Sequence, residues 1–250
     1  MDYDKAINDF KKATELDPNN SLAFSNLGLS WSRKGEFDIA IINFDEAIQL
    51  KPRDAVACFR RAQAYIGKGN YTKANSNFNK VLWLKPKDPV AFYHRGLAWI
   101  SKRQYDKAID DFNQTIRFNP KDTNAYIHRG IAFGFKANYD KAIKDYQTAI
   151  HLDSMNPLAY GNLARLLAVC PDAKYRDGQK AILHAKKACK LTESKDQRFL
   201  SALAAAFAES GSFKDAIKWQ NKAISVAPRK EVADLRVHLN LYKAGKAFRR

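Results

Sequence analysis

The sequence predicts an all-α fold, a solenoid of stacked antiparallel helix pairs closed by a C-terminal capping helix. Three observations predict it. Tyr3, Phe37, Tyr71, Tyr105 and Tyr139 open closely related phrases, each 34 residues after the last. Within each phrase a small residue follows (Ala6, Ala40, Ala74, Ala108, Ala142) and then an aromatic (Phe10, Phe44, Phe78, Phe112, Tyr146), at offsets that fall on one helical face. Breakers such as Lys34-Gly35-Glu36 and Pro52 punctuate the pattern. A unit this short cannot bury its apolar face alone, so each copy must pack on its neighbours.

Residues 3–17 read as one helix with Ala6, Ile7, Phe10, Ala13 and Thr14 on a common face and Pro18 ending it. This is the second half of a repeat, so the natural protein is expected to extend upstream of residues 1–20. Four regular repeats are expected over 21–156, and two divergent ones over 157–228. The first divergent repeat departs from the period: Ala181 follows Ala142 after 39 residues, which places an enlarged turn at 169–178, VCPDAKYRDG. Residues 229–250 supply a capping helix, with Leu235, Leu239 and Tyr242 inward, and a basic tail.

Phe24, Leu27, Gly28, Trp31, Ala40, Phe44, Ala47 and Pro52 match the signature positions of the tetratricopeptide repeat, and the chain resembles that family. The next units keep the pattern with Cys58, Ala62, Tyr65 and Phe78, then Phe92, Gly96, Trp99 and Phe112, then Tyr126, Gly130, Phe133 and Tyr146. The span from about Asn156 onward also resembles a C-terminal module of bacterial tetratricopeptide-repeat proteins, marked by LARLLAVCPDAKYRDGQKAI and LYKAGKAFRR. The resemblance implies a right-handed solenoid whose first helices line a concave groove that binds peptides or helices of other proteins.

Lys and Arg number 43 against 26 Asp and Glu, a net charge of +17. The first fifty residues are nevertheless acidic and the excess lies beyond them. That balance favours acidic partners, nucleic acid or an anionic surface, and says nothing about fold. Cys58, Cys170 and Cys189 lack both a disulfide framework and a metal-ligand spacing and read as buried thiols. No apolar run approaches the length of a membrane span and no leader is recognised, so the chain reads as soluble, cytoplasmic or, with an upstream signal, periplasmic.

One row of the first helices can be read directly: Asn26, Arg60, His94, His128 and Asn162, spaced by 34. Beside it stand Phe59, Tyr93 and Ile127, and three residues beyond it Gln63, Leu97, Ile131 and Arg165. These predict a groove for a protein segment offering apolar anchors and carboxylates, with Arg60 able to bind a carboxylate bidentately and His94 and His128 able to charge near neutral pH. The clamp that family members use for chaperone EEVD tails is not matched, because Val56 stands at a Lys place. A second row, Arg61, Arg95 and Arg129, is expected to be structural.

His94 and His128 find no third ligand in the groove rows, so no metal and no cofactor are expected. No nucleophile elbow, phosphate loop or HExxH run appears, and pairs such as Asp110-Asp111 are read on helix surfaces, so catalysis is not expected. The reading is therefore a protein-binding scaffold. Its alternative is binding of nucleic acid or an anionic surface through basic residues of 51–250, with Tyr175, Lys174, Arg176, Lys180, Lys186 and Lys187 the nearest approach to a stacking stripe. The enlarged turn, with Asp172, Tyr175, Arg176 and Asp177, is the second place where function is sought.

Overall fold

The computed structural model describes residues 3–249 as fourteen α-helices and two short 3₁₀ turns, with no strand among the described residues. The helices form two compact units, one ending at Pro120 and the other beginning at Lys121. In the first unit α1 (Tyr3–Leu16) packs on α2 (Ser21–Lys34), which pairs with α3 (Phe37–Leu50). The pairs α4 (Ala55–Gly67) with α5 (Tyr71–Leu84) and α6 (Pro89–Ser101) with α7 (Tyr105–Phe118) follow. The second unit holds the pairs α8 (Thr123–Phe135) with α9 (Tyr139–Leu152), α10 (Pro157–Val169) with α11 (Gly178–Leu191), and α12 (Gln197–Glu209) with α13 (Phe213–Val226). It ends with α14 (Val232–Lys243).

Local chemistry starts and stops these helices where the period demands. Each first helix after α1 is opened by an Asn or Asp whose side chain accepts from an amide of the first turn, as at Asn20, Asp54, Asp88, Asp122, Asn156 and Asp196. The turn inside each pair except α10–α11 contains one left-handed residue. Gly35 and Gly69 take it without steric cost, whereas Arg103 and Ala137 adopt it at φ 56°.

Packing within a pair depends on a ring seated against a residue with little or no side chain. A Cβ added at Gly28, Gly96 or Gly130 would stand 2.9, 2.8 or 2.7 Å from the ring of Phe44, Phe112 or Tyr146. These rings and the four repeated alanines at 40, 74, 108 and 142 are buried. Leu235, Leu239 and Tyr242 of α14 are buried as expected of the cap, and the three cysteines are buried and free.

One core position breaks the rule. Ile41 of α3 and Ile109 of α7 occupy the same place in their helices, but α5 between them puts Asn75 there, 3% exposed and with neither amide atom hydrogen-bonded. A buried amide left unpaired costs about 1–3 kcal/mol. Asn75→Ile is expected to raise stability by about that amount, read as a higher Tm and a higher denaturation midpoint.

Candidate functional site

In the first unit the row reaches inward more than outward. Arg60 Nη1 donates to Ser25 Oγ at 3.1 Å and Asn26 Oδ1 at 3.2 Å, so α4 is tied to α2 by the residues that were to receive a ligand. Nη1 of the Arg60 fork is therefore shared with the neighbouring first helix. Phe59 meets Phe78 and His94 edge-on at 5.5 and 5.2 Å, and Tyr93 meets His94 at 5.4 Å. Leu97 is half-buried, and only Gln63 of this part of the row is exposed.

In the second unit Ile127 is 1% exposed and packs with Ala149 and Ala159, which removes it from any binding surface. His128 Nδ1 lies 2.8 Å from the Asn124 carbonyl. Burial lowers the pKa of His128 and of His94 below the ordinary 6.5, so both are neutral near neutral pH, against the expectation that they charge there.

Ile131, Asn162 and Arg165 do come together. A cleft of about 260 Å³ is lined by Ile131, Phe135, Tyr139, Leu166 and Val169, with Asn162 and Arg165 at one side. A second cleft of about 350 Å³ runs over α10, α12 and α14, lined by Leu158, Ser201, Ala202 and Leu235, with Arg198 and Glu231 on its rim. The same Asn162 and Arg165 line it. Asn162 Nδ2 is fixed on the Leu158 carbonyl at 2.9 Å, Arg198 is held on Asp196 at 2.6 Å, and Gln197 donates to Glu231 at 3.0 Å. The result is two mainly apolar recesses flanking one amide and one guanidinium.

Sequence reasoning missed Ser201, Ala202 and Leu235 because the row was followed only as far as a period of 34 carries it. Counting 40 residues across the enlarged turn leads from Gly161 to Ser201 and from Asn162 to Ala202, and a further 34 from Ser201 to Leu235. Tyr139 reads in the sequence as the opening aromatic of a second helix, and nothing in the period marks Phe135. Gly161 itself is small for a packing reason: a Cβ there would stand 2.3 Å from the Phe199 ring.

The second arginine row is structural, as expected. Arg95 grips Asp111 with Nε and Nη2 at 2.8 and 2.6 Å, Arg129 grips Asp145 at 2.8 and 2.7 Å, and Arg61 Nε meets Asn77 at 2.8 Å. Asp111 was read on a helix surface, yet its residue is 3% exposed. Burial raises its pKa while the bound Arg95 acts against that rise.

The enlarged turn is held by its own polar residues. Arg176 donates to the Cys170 and Pro171 carbonyls at 2.9 and 3.0 Å and to Glu209 at 3.0 Å. Tyr175 donates to Asp140 at 2.6 Å with its ring edge-on to Tyr139, while Asp172 and Asp177 cap the 3₁₀ turn Ala173–Tyr175 and α11. These groups close a loop and do not present a catalytic set. Among the described residues no group of three or more His, Cys, Asp or Glu could hold a metal ion, and no helix is long and apolar enough to cross a membrane.

Removing one partner of a buried pair leaves a charge without compensation. Arg95→Met is expected to cost about 3–5 kcal/mol, whereas adding Asp111→Leu to it recovers most of the loss in chemical denaturation. The histidines set a pH dependence. Because folding lowers their pKa, the unfolded chain binds more protons as pH drops below 6.5, and stability falls over that window toward the lower folded values. Tm measured through this range should drop in the wild type and drop less in His94→Leu.

Models of tetratricopeptide repeats match residues 2–31, described as a TPR repeat, and residues 59–123 and 123–154, each described as a tetratricopeptide repeat. No curated protein matches the sequence. Among solved structures, a tetratricopeptide repeat protein from Parabacteroides merdae is 22% identical, covers 97% of this chain and 93% of its own, and superposes with a TM-score of 0.70. MamA from Desulfovibrio magneticus is 24% identical over 70% of this chain and 97% of its own, with a TM-score of 0.63. The APC/C hetero-tetramer Cut9–Hcn1 gives 18% identity over 97% of this chain and 46% of that chain, with a TM-score of 0.72.

Proposed function

This chain carries tetratricopeptide repeats, and on that premise we propose that it is a non-catalytic scaffold that binds a segment of a partner protein on its first helices, with the clefts around Asn162 and Arg165 as the main contact. The observation that carries this reading is the sharing of Asn162 and Arg165 by two mainly apolar recesses. Concave, largely apolar sites with a few fixed polar groups are where ligands bind. A partner segment would place an apolar side chain in each recess and a carboxylate or carbonyl against Arg165 and Asn162. Cut9–Hcn1, a structural neighbour, is itself an assembly of protein with protein. The MamA fold likeness supports the architecture of such a scaffold.

The alternative, binding through the basic surface, needs aromatics free to stack on bases. Tyr175, its best candidate, is engaged by Asp140 and Tyr139, and Lys180 is paired with Asp177. Partner recovery from a native extract is expected to fall about tenfold or more for Arg165→Ala and for Ala202→Glu, which fills the second recess with charge. Equal recovery by wild type and both variants would remove these clefts as the site.

A further inference from the structure

The first unit carries a surface that the clefts of the second do not explain. Leu22, Val56 and Val90 stand at the same place near the starts of α2, α4 and α6, and are 65%, 50% and 53% exposed. Between Val56 and Val90 lies a cleft of about 260 Å³ with Phe59 on its wall, the buried Val81 as its floor, and Lys85 and Asp88 on its rim. Trp83, 69% exposed, lies under the Arg53 guanidinium at 5.6 Å. All of these residues gather at the end of the helix pairs where the chain passes from one pair to the next. Exposed apolar groups arranged in a row are more informative than scattered ones.

Beside Val56 and Val90 the exposed charge of this edge is mainly basic for a local reason, whereas the loop before Leu22 carries the exposed Asp17. The connecting loops bring Lys51, Arg53, Lys85 and Lys87, all exposed. Their acidic residues, Asp54 and Asp88, are turned to the helix starts: Asp54 Oδ1 accepts from the Val56 and Ala57 amides at 2.9 and 3.0 Å, and Asp88 Oδ1 from Val90 and Ala91 at 2.9 and 3.1 Å. One oxygen of each carboxylate is therefore held at a helix start, and the four cations of these two loops outnumber their two carboxylates.

We propose that this edge is a second docking surface, and that its occupant is an acidic segment of a partner protein with an apolar side chain at every third position. Charge complementarity selects an acidic occupant. The register follows from geometry: packed helices lie about 8–10 Å apart, and one three-residue turn of polyproline-II chain advances roughly 9 Å with every third side chain on the same side, so side chains so spaced meet successive first helices. A recess with a buried floor accepts a side chain, whereas a flat bilayer would touch only the tips around it. For the same reason the occupant is a polypeptide and not an anionic lipid surface.

The test uses the whole chain and a short synthetic peptide with leucine at every third position and Asp or Glu between, followed by fluorescence anisotropy. Binding is expected for the wild type and for Arg165→Ala, which impairs only the clefts of the second unit. Affinity is expected to fall about tenfold or more for Val56→Asp/Val90→Asp and for Lys85→Glu/Lys87→Glu. The altered side chains are exposed, and circular dichroism verifies that both variants stay folded. Absence of binding to the wild type, equal affinity in the Val56/Val90 variant, equal affinity of a peptide with serine in place of leucine, or binding of phosphatidylserine vesicles in preference to the peptide would each overturn the proposal. Loss of binding in Arg165→Ala would assign the peptide to the other clefts and overturn it as well.

Discussion

The contact on which everything else rests is a ring pressed against a residue with almost no side chain. Phe44 against Gly28, Phe112 against Gly96 and Tyr146 against Gly130 leave no room for a Cβ without displacement. That closeness lets a pair of helices only thirteen or fourteen residues long bury a ring completely. Helices of this length are marginal alone, so the ring contact and the stacking of pairs have to arise together. The alanines at 40, 74, 108 and 142 are none of them exposed at all.

Once the cores are set, the polar residues of the repeats are drawn into holding the pairs in register. Arg95 with Asp111 and Arg129 with Asp145 bridge the two helices of a pair sixteen residues apart in sequence. Arg60 with Ser25 and Asn26 bridges successive first helices. Such bonds give orientation more than net stability. They also leave fewer polar groups open for a ligand than a row of Arg, His and Asn suggests on paper.

The two surfaces proposed for binding lie where the repeat is imperfect or its ends are bare. In the second unit the enlarged turn, tied down by Arg176, borders the cleft at Cys170 and Pro171. In the first unit the capping aspartates, by turning to the amides, leave the connecting loops basic beside Val56 and Val90. Both surfaces are side effects of how helices begin and end.

The period, the helix pairs, the small residues beneath the rings, the inward face of α14 and the structural role of the second arginine row were all legible in the sequence. Each follows from local spacing, and local spacing determines which face a residue takes on a helix. Whether Ile127 faces a groove or a core, whether Arg60 is open, and whether His94 holds a proton depend on what another helix places beside them. Thus only the tertiary structure buried Ile127 against Ala149 and Ala159, turned Arg60 toward Asn26 and lowered the pKa of the histidines by burial. Repetition fixes the face of a residue, but its solvent exposure and its bonds are properties of its neighbours across the stack.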